Sequence, residues 1–146
     1  MKRLVLLLPL LGAASGLQAA DFRSVQEAAV VLFDAPSRAA TPLFVVQRNY
    51  PLEVIVPESK GWVKVRDHAG ALSWVETKSL SEKRSLLVTG TSAEARQRAE
   101  DAAPVAFRAA QNVTLDLVEV EPNGWLRVRH ADGATGYVRA AQVWGD

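Results

Sequence analysis

An all-β chain of two small barrels in tandem, behind a cleaved signal peptide, is the fold class this sequence predicts, and three observations carry it. The stretch Gly61-Trp62-Val63-Lys64-Val65-Arg66-Asp67 is written again as Gly124-Trp125-Leu126-Arg127-Val128-Arg129-His130, an offset of 63 residues. The same offset carries Leu52 to Leu115, Gly70 to Gly133, Trp74 to Tyr137 and Val75 to Val138 without a gap. A fixed period of this size means one supersecondary unit built twice. Within each copy, apolar and polar residues alternate between turn signals, the pattern of a half-buried strand entering a hairpin. Those turn signals recur too closely to leave room for a helix of three turns.

Residues 1–20 carry the three-part pattern of a secretory signal. Lys2 and Arg3 are the basic end, residues 4–11 are apolar apart from Pro9, and small residues lead to Leu17-Gln18-Ala19-Ala20 before the polar Asp21. The apolar run is shorter than the ~20 residues that span a bilayer, and its flanks fit cleavage after Ala19 or Ala20. With no cysteine after the run, a lipid-anchored form is not expected, nor is a transmembrane anchor. The expectation is a soluble exported protein, periplasmic or secreted.

Residues 21–146 then hold two periods, which are read as repeat one (21–82) and repeat two (83–146). That length leaves no space for an enzyme core beside them. Removing Lys2 and Arg3 leaves 15 basic against 16 acidic side chains, so nucleic acid is not an expected partner. Without cysteines each unit is held by its core alone. A unit of this size buries only about 60% of its chain surface, so a monomer with its two repeats packed together is expected.

In repeat one, residues 28–33 form an apolar, β-branched run ended by Asp34-Ala35-Pro36-Ser37. Short strands are expected at 43–47 and 52–56, then the Trp62 strand, the turn Asp67-His68-Ala69-Gly70 and a return strand at 72–76. Lys78-Ser79-Leu80 reads as one helical turn. The joint Ser81-Glu82-Lys83-Arg84 is too short for a flexible linker, so repeat two starts at once with 85–89. Strands follow at 114–121, 125–130 and 135–139, Asn123-Gly124 gives a strong hairpin signal, and Val143-Trp144 closes the unit. Residues 91–103, rich in Ala, Glu, Gln and Arg with a Thr91–Glu94 capping-box match, have helical propensity. The register of the repeat places an irregular loop there, and register outweighs weak local propensity.

Gly-Trp-x-x-Val, the following Gly, the aromatic-Val pair and the Val31-Leu32-Phe33-Asp34-Ala35-Pro36 entry resemble bacterial SH3-like (SH3b) domains, in two copies covering nearly all of residues 21–146. Repeat two departs from the pattern, with Arg96 and Ala99 where repeat one has Phe33 and Pro36. The resemblance implies barrels of five or six strands used for binding cell-wall or protein ligands in the envelope.

Alternation places Val63, Val65 and Val75 on one face, the core, and Trp62, Lys64, Arg66, Leu72, Trp74 and Glu76 on the other. In repeat two that outer face carries Trp125, Arg127, Arg129, Thr135, Tyr137 and Arg139. Aromatics beside cations can stack on a sugar or pair with a carboxylate; they are also ordinary cross-strand pairs in sheets that bind nothing. Of the two faces, that of repeat two is favoured as a ligand surface, because its three arginines have no acidic neighbour on the hairpin, whereas Glu76 stands beside Lys64 and Arg66.

No catalytic site, metal site or cofactor is expected. His68 and His130 lie in turns at positions the offset does not equate, no spacing supplies three or four convergent ligands, and no serine sits in a nucleophile motif. Glu58, Glu119 and Glu121 read as solvated charge. The reading is a non-catalytic envelope module recognising peptidoglycan or another cell-wall glycan. A periplasmic protein–protein adaptor is the alternative, and the targeting subunit of a cell-wall hydrolase a second one.

Overall fold

The computed structural model describes residues 20–146; the signal-peptide reading of 1–20 lies outside the described residues apart from Ala20. Repeat one is built from β1 (Phe22–Val25), β2 (Ala29–Phe33), β3 (Pro42–Gln47), β4 (Pro51–Ser59), β5 (Trp62–Arg66), β6 (Leu72–Glu76) and β7 (Leu80–Ser81). Repeat two is built from β8 (Ser85–Val88), β9 (Ser92–Arg96), β10 (Val105–Ala110), β11 (Thr114–Val120), β12 (Trp125–Arg129), β13 (Thr135–Arg139) and β14 (Val143–Trp144). The helical residues described are three 3-10 turns, at Thr77–Ser79, Pro122–Gly124 and Ala140–Gln142.

Each repeat curls one antiparallel sheet into a small barrel, in the orders β3-β2-β6-β5-β4-β1-β7 and β10-β9-β13-β12-β11-β8-β14. The second order is the first advanced by seven strands, which is the repeat expressed as topology. There are seven strands per barrel rather than five or six, because the two-residue strands β7 and β14 pair with β1 and β8 to close each unit.

The hairpins pair as alternation requires. Val63 faces Val75 and Val65 faces Ser73 in repeat one, and Leu126 faces Val138 and Val128 faces Gly136 in repeat two. Val65, Val75, Val128 and Val138 are fully buried and belong to two separate cores. The β11–β12 connection bends through Asn123 and Gly124, both at positive φ (60° and 79°), the backbone that Asn-Gly adopts at least cost.

Residues 91–103 form no helix, as the register indicated, but they are not all loop. Ser92–Arg96 is the strand β9, paired with both β10 and β13. Its alanines are there for size. Ala93 and Ala95 are fully buried, and a Cβ built on Gly136 would stand 2.9 Å from the Cβ of Ala95. Close approach of two strands, not helix formation, accounts for the small residues.

The two barrels touch through residues outside either core cluster. Phe22 meets Trp144 edge to face with ring centroids 5.0 Å apart, and the Arg84 guanidinium lies over Phe22 at 5.5 Å. Ser85 Oγ donates to the carbonyl of Asn49 (2.6 Å), and within repeat two Arg84 Nη2 is anchored on the Gly145 carbonyl (2.8 Å). Leu87, the counterpart of Ser24, is buried beside this contact.

Val65→Ala and Val128→Ala are each expected to cost about 1–3 kcal/mol, read as a fall in the thermal midpoint; an unchanged midpoint would remove these valines from the supporting core. Gly136→Ala is expected to lower the midpoint through overpacking worth about 1–3 kcal/mol.

Candidate functional site

The outer face of repeat one assembles from β2, β5 and β6. Trp62 stands opposite Glu76, Lys64 opposite Trp74 and Arg66 opposite Leu72, the side-sharing that the alternation dictates. Phe33, paired with Trp74 across β2–β6, meets Trp62 edge to face at 5.7 Å. Lys64 Nζ lies 5.9 Å from the Trp74 ring centroid. All three aromatics are half-buried. Arg66 lies 3.5 Å from Glu53, so it is not the partner of Glu76. Glu76 instead accepts two hydrogen bonds from Arg38 on the β2–β3 loop, from Nε at 2.6 Å and Nη2 at 3.0 Å, and has Lys78 at 3.5 Å. The hydrogen bonds from Arg38 hold the Glu76 carboxyl below the usual carboxylate range. Beside this pair lies a groove of about 490 Å3 whose walls include Val31, Phe33, Arg38, Glu76 and Lys78.

Repeat two uses the same positions differently. Arg139 replaces Glu76 and Asp101 replaces Arg38, so the ion pair is kept with its charges exchanged. Arg139 Nε and Nη2 donate to the two carboxylate oxygens of Asp101 (3.2 and 2.6 Å), and Nη1 donates to the Asn123 carbonyl (3.3 Å). Thus held, the guanidinium lies 4.2 Å from the Trp125 ring centroid. A stacked cation of this kind is worth about 0.5–2 kcal/mol, more as water is excluded.

Two expectations for repeat two are corrected here. Trp125 is only 4% exposed, so it is not an open stacking surface. Arg139 does have an acidic neighbour, supplied by a loop rather than by its own hairpin. Arg96, where repeat one has Phe33, donates to Glu94 and to the Ala103 carbonyl instead of completing an aromatic pair. Tyr137 remains half-buried opposite Arg127, while Arg127 and Arg129 are exposed without a salt-bridge partner among the described residues.

Phe33, Arg38, Lys78 and Asp101 were not among the candidate ligand residues drawn from the sequence. The signal was present in the offset, which equates Arg38 with Asp101 and Glu76 with Arg139, two inversions of charge at two related places. The histidines bond locally: His130 within its own turn, and His68 to Tyr50 on the β3–β4 turn. His68 Nδ1 lies 2.5 Å from the Tyr50 hydroxyl and His130 Nδ1 lies 3.1 Å from Asp132. Among the described residues no three His, Cys, Asp or Glu converge as metal ligands, and no helix is long and apolar enough to cross a membrane.

Arg139→Ala is expected to expose the Trp125 indole, seen as faster hydrogen exchange of its N–H resonance. Asp101 is held below its ordinary value chiefly by the Arg139 hydrogen bond. A depressed carboxyl contributes stability above its unfolded pKa and loses it as pH falls through the folded one. Protection of Trp125 should therefore persist through neutral and mildly acid pH and loosen only below the usual aspartate range. Protection unchanged in Arg139→Ala would show that the guanidinium does not cover the ring.

No curated protein matches the chain. Among solved structures, NlpC1 from Trichomonas vaginalis is 17% identical with a TM-score of 0.40, over 97% of this chain and 51% of that one. NlpC2 from the same organism is 14% identical with a TM-score of 0.40, over 88% and 49%. An NlpC/P60 family protein from Bacillus cereus ATCC 10987 is 17% identical with a TM-score of 0.39, over 84% and 55%. The chain thus spans about half the length of these proteins. The family model for the bacterial SH3 domain matches twice, at residues 26–82 and 89–145, each match falling on one barrel with its Trp-led hairpin. With both barrels so matched, the chain belongs to the bacterial SH3 domain family, in two tandem copies.

Proposed function

We propose that this protein is a non-catalytic binding module of the cell envelope, exported by its leader and divided near Glu82, whose ligand is peptidoglycan or another cell-wall glycan. The outer face of repeat one, rather than that of repeat two, makes the contact. One observation carries this choice. In repeat one the ion pair lies beside the aromatics and leaves a groove of about 490 Å3 next to Phe33, whereas in repeat two the matching cation is folded onto Trp125.

The chemistry of the open face suits a sugar chain bearing carboxylates. Phe33, Trp62 and Trp74 present ring surface with an apolar body, Leu72 extends it, and Lys64, Arg66 and Lys78 offer donors around it. Arginine and lysine at this exposure attract carboxylates weakly, over a range of about 8–10 Å at moderate salt. Affinity is therefore expected to rest on stacking, with charge orienting the ligand. Repeat two, through Phe22, Arg84 and Trp144, holds repeat one in a fixed setting.

The test is co-sedimentation with purified peptidoglycan in moderate salt, using variants first shown to be folded. Trp62→Ala is expected to weaken binding by up to about tenfold, which corresponds to one aromatic contact of ~1.4 kcal/mol. Arg127→Ala/Arg129→Ala should leave binding unchanged. Loss in the arginine variant alone would move the site to repeat two. A wild-type protein that stays in the supernatant would point to a protein ligand instead.

A further inference from the structure

One strand of repeat one lies outside that reading. β3, Pro-Leu-Phe-Val-Val-Gln, is the end strand of its sheet and pairs only with β2. It carries no charge, and Leu43, Phe44 and Val45 are 43%, 45% and 69% exposed. An open apolar strand edge is a template for pairing with another chain, and folds normally guard against it with charge.

The protein contains its own control. β10 occupies the same place in repeat two, with Ala106, Phe107 and Arg108 where β3 has Leu43, Phe44 and Val45. Arg108 points a charge outward and is tied to Glu94 at 3.4 Å. Phe107 packs against the repeat-two core, because Ala95 stands directly opposite it. Phe44 faces the larger Leu32, which already fills that space in repeat one. The barrel therefore does not require an apolar outer strand, and repeat one has one while repeat two is guarded.

We propose that β3 is an interface on which a second copy of this chain adds its own β3, antiparallel, about a twofold axis at Val45. The partner is identified by what each edge can accept. β10 is guarded by Arg108, and β7 and β14 are two residues long, so among the described residues the edge of this chain that matches β3 is β3 itself. A self-paired edge is closed by symmetry and ends at the dimer. Residues opposite one another in an antiparallel pair share a face. An axis at Val45 therefore sets each Phe44 beside the other copy's Val46.

Val46 borders a groove of about 220 Å3 between the repeats, lined also by Val45, Gln47, Tyr50, Leu87 and Asn112. A cavity of about 150 Å3 lined by apolar side chains holds a benzene ring, so the groove has room for a phenyl side chain. Each copy thus supplies one Phe44 ring and one groove, and the exposed ring and the groove are explained together. This state differs from the monomer expected from the sequence and does not depend on what the outer face binds.

The test uses the chain from Asp21 onward. Sedimentation velocity from micromolar to millimolar protein is expected to show a reversible monomer–dimer equilibrium. Val45→Arg, which places in repeat one the residue found at this position in repeat two, should weaken association by more than about tenfold, the loss of ~1.4 kcal/mol or more, with the thermal midpoint kept. Because the chain has no cysteine, Val45→Cys should yield a disulfide dimer on mild oxidation, while Val120→Cys, at a site 65% exposed on β11, should not. A wild-type chain that is monomeric throughout, a dimer that survives Val45→Arg, or equal cross-linking at the two positions would each overturn the proposal. In the monomeric case β3 would be left to a different protein.

Discussion

Leu32 and Ala95 occupy the same place in the two barrels, directly opposite Phe44 and Phe107, and the difference in volume between them spreads outward through each unit. A barrel of this size has one interior to fill, and a strand directs alternate residues into it without choice. In repeat two, Ala95 against Gly136 lets β9 and β13 approach closely, and Phe107 covers the core from the side. In repeat one, Leu32 fills the centre, and the phenyl ring of Phe44 stays outside. The same topology thus presents one sealed flank and one apolar flank.

The ion pairs divide the outer faces in the same way. A loop packed across a barrel mouth is held better when its charge finds a partner on the sheet, and Arg38–Glu76 and Asp101–Arg139 do this with opposite polarity. The polarity matters because only a guanidinium on the sheet side can lie over the tryptophan. With glutamate there, Trp62 takes Phe33 as its neighbour and a groove remains; with arginine there, Trp125 is covered. The exchange of both charges, with Arg96 in place of Phe33, separates an open aromatic face from a closed one. The repeats also cease to be independent where Phe22 and Leu87 are buried, with Arg84 and Trp144 half-buried beside them. Such contacts compensate for the small core of a single 63-residue unit.

The repeat, the all-β class, the buried valines and the pairing of outer-face residues on each hairpin were all determined by the sequence alone. They follow from periodicity and from the two-residue alternation of a strand, which are local rules. Even the absence of a helix at 91–103 was legible, because the register of the repeat placed an irregular loop there. Tertiary structure decided what local rules do not reach. That Ser92–Arg96 is strand rather than loop rests on how near β13 comes to it, and that Arg139 is occupied rather than free rests on Asp101, which is 38 residues away in the chain. The burial of Trp125 and the exposure of Phe44 likewise depend on which side chain stands across a strand pair or folds back from a loop. Those are questions of volume and charge between distant residues, and only the folded chain brings them together.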